Sequence, residues 1–270
     1  MEWKNLYRGF LMGISDLIPG VSGGTIAFIL GIYDRLLAAI SGFFSREWKK
    51  HLGFLIPLAL GMGSAILLLS RLIKYLLEYY HEPTRFFFLG LVLGVIPFIM
   101  KQANIKRNFK VNHYLILAIA IIVLVIMAFM RSDKVLNLGE SLSALEIAGL
   151  FFSGWLGSMA MLLPGISGSF ILLLLGVYDV VINALSNLNI TIIAIVGAGV
   201  AVGFIVSSKA IQYALKHFQH ATYAAIIGLI IGSIFIIYPG FPENNMLIIS
   251  IISFIVGLFV SYYLGKVNKD

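Results

Sequence analysis

Cysteine is absent from all 270 residues, which excludes disulfide bonds, thiolate metal sites and a cysteine nucleophile. Charged side chains are scarce, at 11% against 60% hydrophobic residues. A water-soluble globule of this length cannot cover itself with so little charge, so the chain reads as an integral membrane protein. No cleaved N-terminal leader is expected either, because Pro19 and Gly20 interrupt the first apolar run and no small-residue cleavage site follows it. Acids are the rarer sign: 12 Asp and Glu against 19 Lys and Arg leave a net charge of +7. The basic residues collect in short loops between apolar spans, where they set orientation, and no nucleic acid is expected as a partner.

What is present is a phrase said twice. Pro19-Gly20-Val21-Ser22-Gly23-Gly24 returns as Pro164-Gly165-Ile166-Ser167-Gly168-Ser169, 145 positions later and again inside apolar sequence. The echo continues at the same offset, with Leu30-Gly31-Ile32-Tyr33-Asp34 answered by Leu175-Gly176-Val177-Tyr178-Asp179. At an offset of 138, Ser70-Arg71, Tyr75, Leu77, Thr84, Gly90 and Gly94 are answered by Ser208-Lys209, Tyr213, Leu215, Thr222, Gly228 and Gly232. Internal repetition of this kind points to a two-fold membrane transporter.

Apolar segments at 53–70, 85–100, 112–130, 190–207, 222–238 and 246–265 cross, or nearly cross, a bilayer core that needs about 20 helical residues. Residues 7–41 and 147–185 behave differently. Their Pro-Gly break leaves pieces too short to cross alone, about 11 residues before Pro19 and about 17 after Thr25. Each is expected to be a re-entrant helical hairpin whose tip packs inside protein or lines a polar cavity. The expected fold is therefore all-α integral membrane, with two inverted-topology repeats at 1–135 and 136–270, each a re-entrant hairpin plus three transmembrane helices. An odd number of crossings per repeat turns the second copy upside down. Loop charges agree with this scheme: Lys4, Arg8, Arg46, Lys49, Lys50, Lys101, Lys106, Arg107, Lys110, Lys209, Lys216, Lys266 and Lys269 fall on one side. Only Arg71, Lys74, Arg85, Arg131 and Lys134 fall on the other, so both termini are expected to be cytoplasmic.

A Pro-Gly break, then Ser-Gly-Gly or Ser-Gly-Ser, then an apolar helix exposes the unpaired amides of a helix N-terminus, with Ser22 or Ser167 able to cap it. Such ends attract anions, and glycine lets ligand oxygens approach the backbone. The alternative is that Pro and Gly only make turns and let helices pack; two copies at matching places favour a site. Ser22, Gly23, Gly24 and Thr25, with Ser167, Gly168 and Ser169, are therefore expected to surround a phosphate or carboxylate.

Over nearly its full length the chain resembles the bacterial polyprenyl-phosphate transporter family. The residues that carry the resemblance are Gly13, Asp16, the run Pro19 to Thr25 and Leu30-Gly31-Ile32-Tyr33, then Leu163 to Phe170 and Leu174-Leu175-Gly176-Val177-Tyr178. The resemblance implies a flippase that returns undecaprenyl phosphate from the outer to the inner leaflet of the bacterial cytoplasmic membrane for reuse in envelope synthesis. No cofactor and no catalytic residue are expected. A small-anion channel or exchanger built on the same helix ends is the alternative, since paired N-termini hold a bare anion equally well. A lipid phosphatase is a third class, but no His and carboxylate constellation stands near the repeated phrase.

Among other residues, Arg71 and Lys209 occupy equivalent places and are candidate phosphate receivers, with snorkelling to headgroups as the alternative. Arg35 is a candidate phosphate contact or a local ion-pair partner. Asp16 is an acid at membrane depth that faces Met161 in the repeat: either it binds a coupling proton or sodium ion, or it caps amides at the break. Asp34 and Asp179, beside Tyr33 and Tyr178, read as hairpin-end caps and interfacial anchors. The five histidines have no acidic partner at metal-ligand spacing, and no metal is expected.

Overall fold

The computed structural model describes every residue except 19, 44, 46–47, 131–135, 137–141, 243–244 and 268–270. Pro19 of the repeated phrase, Arg46, Arg131, Lys134 and Lys269 of the loop-charge pattern, and Val135 at the expected repeat boundary lie outside the described residues. Among the described residues the regular structure is entirely helical. The first half holds α1 (Lys4–Asp16), α2 (Gly23–Ile29), α3 (Tyr33–Gly42), α4 (Trp48–Tyr79), α5 (His81–Gln102), the single turn α6 (Ile105–Asn108) and α7 (Val111–Phe129). The second holds α8 (Ala144–Leu162), α9 (Gly168–Leu174), α10 (Tyr178–Ser186), α11 (Ile190–His217), α12 (Gln219–Ile237) and α13 (Leu247–Val267).

Seven of these, α4, α5, α7, α8, α11, α12 and α13, are long and apolar enough to cross a bilayer, and α9 with α10 form a pair bent by 110°. The chain is a multi-pass membrane protein. Six of the seven coincide with the expected spans, although α4 and α11 run on to Tyr79 and His217. Polar and aromatic residues end an apolar run without ending a helix. The seventh, α8, was expected to be a leg too short to cross. It gains its 19 residues from a capping box, in which Ser143 Oγ accepts from the Glu146 amide and the Glu146 carboxylate accepts from the Ser143 amide.

The legs after the two breaks differ from the expected single helices of about 17 residues. Each breaks again at the second repeated phrase, where Gly31 and Gly176 adopt left-handed φ of +65° and +69°. That conformation stops α2 and α9 after seven residues and redirects the chain into α3 and α10.

Helices pack in matched pairs: α1 along α4 and α8 along α11, then α5 against α13 and α7 against α12. Backbones touch at small residues. A side chain on Gly9 would strike the Leu58 carbonyl, and one on Gly154 the Val196 carbonyl; Gly90 and Gly228 are pressed in the same way on Phe254 and Leu117. The packing is unequal elsewhere. Every residue of α2 is buried, and α3 buries Tyr33, Leu36, Leu37 and Ala39 against α4 and α11. By contrast α9 buries only Gly168 and Phe170, and α10 only Ala184.

Candidate functional site

The two repeated phrases, far apart in sequence, come together inside the molecule. Gly20 and Gly165 both take φ of +92°, which turns the chain sharply enough for a new helix to start within a few residues. Ser22 is the N-cap of α2: its Oγ accepts from the Gly24 amide at 3.1 Å. The same hydroxyl donates to the Leu163 carbonyl of the other break at 3.3 Å. In return, the Gly165 amide donates to Thr25 Oγ1 at 2.9 Å. A third link comes from Tyr33, whose hydroxyl donates to the Leu162 carbonyl at 2.9 Å. Ser22, Thr25 and Tyr33 are all buried, so these bonds satisfy polar groups that would otherwise be costly at membrane depth.

Asp16, at the end of α1, accepts the Gly23 amide on Oδ1 at 2.7 Å. A carboxylate thus closes the first turn of α2, where the unpaired amides of a helix start concentrate positive potential. The contact is tight, because a Cβ on Gly23 would come within 2.8 Å of Asp16 Oδ2. The second break has no acid at this place: Met161 stands there, and Ser167 and Ser169 share a 2.7 Å hydrogen bond between their hydroxyls. Ser167 precedes α9 without bonding its amides.

Beside these breaks lies a cavity of about 510 Å³. Asp16, Gly23 and Gly24 form its polar end, and its walls are apolar: Leu36 and Ile40 of α3, Ala59 and Met62 of α4, Met161 of α8, and Gly197 and Val200 of α11. Ala59 and Met62 stand at the same positions in the first half as Gly197 and Val200 in the second. The cavity therefore sits where the two halves face each other.

Of the candidate site residues, the structure joins Ser22 and Thr25 to Leu163 and Gly165 of the second break and Asp16 to Gly23, while Ser167 and Ser169 bond each other beside that break and Gly168 packs on Met161 and Gly157. It does not bring the three basic candidates to them. Arg71 and Lys209 are exposed on α4 and α11 and line no wall of the cavity. Arg35 pairs with Glu2, and its guanidinium lies 5.1 Å from the Phe54 ring centre. Tyr33, taken from the sequence as an interfacial anchor, is instead 3% exposed and ties the two breaks together. Its presence in both copies of the second phrase was the signal for that role. Asp34, expected as a cap, lines a separate small pocket with Gln212, Lys216, Gln219 and Tyr223.

Paired broken helices that meet within a multi-pass bundle, with a polar junction opening on an apolar cavity, define a membrane transporter. Comparison with known proteins narrows the class. The family model described as undecaprenyl phosphate translocase-like matches residues 12–252, and the chain belongs to that family. It is 45% identical over 277 residues to a polyprenyl-phosphate transporter of Staphylococcus aureus, across 100% of this chain and 98% of the relative. It is 34% identical over 256 residues to a polyprenyl-phosphate transporter of Vibrio cholerae, across 88% of this chain and 79% of the relative. No solved structure matches the chain.

Proposed function

We propose that the chain carries undecaprenyl phosphate from the outer to the inner leaflet of the bacterial cytoplasmic membrane. The observation that carries this reading is the cross-bonded junction of the two breaks beside an apolar cavity. Such a place suits an amphiphile with an anionic head and a hydrocarbon tail. A bare anion gains nothing from apolar walls, whereas the first isoprene units of a lipid phosphate do. The head is received by the amides and hydroxyls of Ser22, Gly23, Gly24 and Thr25 on one side and Ser167, Gly168 and Ser169 on the other. The carboxylate of Asp16 holds the position of an anionic oxygen while the site is empty and yields it to the phosphate. The names of the two relatives and the family description support the cargo.

We also read residues 1–135 and 136–270 as inverted repeats. The matched pairs α1–α4 with α8–α11, and α5–α13 with α12–α7, support this, because each maps onto the other at the sequence offsets. The test uses protein in liposomes that contain undecaprenyl phosphate, with an impermeant phosphatase outside. The rate at which inner-leaflet lipid becomes accessible is measured for the native protein and for the Ser22→Ala, Ser167→Ala double variant. Loss of two hydrogen bonds to a charged head, each worth about 1.5–3 kcal/mol, is expected to slow exchange by at least about tenfold. Unchanged exchange in the variant would remove the phosphate from these residues. Absence of any exchange by the native protein, under proton and sodium gradients alike, would favour a small-anion pathway.

A further inference from the structure

We propose that α3 and α10 are alternating lids on opposite faces of the cavity, and that the structure holds the α3 lid shut and the α10 lid open. The inference rests on the two-repeat transporter reading above. It starts from an inequality between halves whose motifs are the same. Leu36 and Ile40 of α3 wall the cavity, and α3 packs across onto α11 of the other half. Their counterparts Val181 and Leu185 line no part of that cavity. Among the described residues α10 packs on α9 and α11 and makes no comparable contact with α4. Burial follows the packing: Leu37 is 0% exposed, while its counterpart Ile182 is 42% exposed.

The two lids belong to different membrane faces. The α3 lid is latched near the C-terminal end of α11, where Ser41 Oγ donates to Gln212 Oε1 at 3.2 Å. The α10 helix joins the N-terminal end of α11 through the short turn at Asn187–Asn189. Residues 190 and 212 of one helix are about 33 Å apart at 1.5 Å per residue, which is about the thickness of the hydrocarbon core. A receiving place for α10 is already present. An apolar groove of about 410 Å³ lies between α4 and α5, lined among others by Ile73, Leu76, Thr84 and Phe88. Ile73 and Phe88 occupy the positions of Ile211 and Ile226 in the repeat, on α11, against which α3 packs, and on α12, whose Gln219 and Tyr223 share a pocket with Asp34 of α3. Closing α10 there while α3 leaves α11 would expose the same junction to the opposite leaflet, and it would give Tyr178 the place that Tyr33 now holds.

The chain has no cysteine, so introduced pairs report cleanly. Ser41 and Gln212 correspond through the repeat to Ser186 and Lys74. The experiment joins Ser41→Cys with Gln212→Cys in one protein, and Lys74→Cys with Ser186→Cys in another, by a short reducible thiol linker in liposomes containing undecaprenyl phosphate. Both pairs are expected to cross-link, each linkage to cut exchange at least tenfold, and reduction to restore it, which shows that the linked proteins are folded. A protein with all four cysteines is expected to form one linkage at a time. If the Lys74 and Ser186 pair never links in vesicles that transport, or if linking Ser41 to Gln212 leaves exchange unchanged, the lids are overturned. Exclusive linkage of the two pairs in a protein that moves no polyprenyl phosphate would keep the lids and overturn the cargo instead.

Discussion

At the scale of single residues, the most consequential choice in this chain is the acid at position 16. Its place in the sequence leaves two roles open, a coupling-ion site and a cap, and the 2.7 Å bond from the Gly23 amide gives the capping role its geometry. The two roles separate on substitution. Asp16→Ala leaves the first turn of α2 short of an acceptor and is expected to cost about 1 kcal/mol in detergent unfolding. Asp16→Asn keeps an acceptor oxygen without the charge and is expected to unfold close to the native protein. If capping is the whole of its work, exchange by the Asn variant still responds to imposed proton and sodium gradients as the native protein does. A stable Asn variant that has lost that response would make Asp16 the coupling site.

At the scale of elements, the breaks between helices matter more than the helices. The first break of each half was legible from Pro-Gly in apolar sequence, and so was its partnership with the other copy. The second was not, because Leu-Gly-Ile-Tyr-Asp reads as well inside a helix as at its end. Only the left-handed φ at Gly31 and Gly176 shows that the chain turns there. The length of α8 escaped for a related reason: the Ser143 and Glu146 capping box adds a turn outside the apolar run. The packing inequality between α3 and α10 was illegible in principle, since motifs that are the same in both halves cannot say which half is engaged. Gly20 and Gly165 share their φ but not their surroundings. A Cβ on Gly165 would lie 2.6 Å from the Leu229 carbonyl carbon, whereas one on Gly20 would lie 3.0 Å from a methyl of the Ile236 side chain. A side chain can give way; backbone inside a packed helix cannot. Gly165→Ala is therefore expected to lose about 3 kcal/mol or more, with Gly20→Ala nearer the 1–2 kcal/mol set by left-handed strain alone. Equal losses in the two variants would mean that strain, and not the approach of α12, governs both turns.

At the scale of the whole molecule, the proposed inversion has a consequence that no single contact reveals. Glu78 near the end of α4 and Lys216 near the end of α11 hold the same position in the repeat, 138 residues apart, and both are exposed. In a parallel repeat they would emerge on the same face of the membrane; in an inverted one they emerge on opposite faces. Their helices are 32 and 28 residues long, about 48 and 42 Å, so each end clears a hydrocarbon core of about 30 Å. The chain-wide loop charges orient the pair: thirteen Lys and Arg are expected on the side of Lys216 and five on the side of Glu78, so Lys216 is expected to be cytoplasmic. Because the chain lacks cysteine, Glu78→Cys and Lys216→Cys each give one thiol. In intact cells a membrane-impermeant maleimide is expected to label Glu78→Cys at once and Lys216→Cys only after permeabilisation. Labelling of both from outside would make the repeats parallel and abolish the geometry by which one junction serves two leaflets. Labelling of Lys216→Cys alone would keep the inversion but turn the whole protein over. The α3 lid would then close on the periplasmic side, and the open face would be the one that releases lipid rather than the one that receives it.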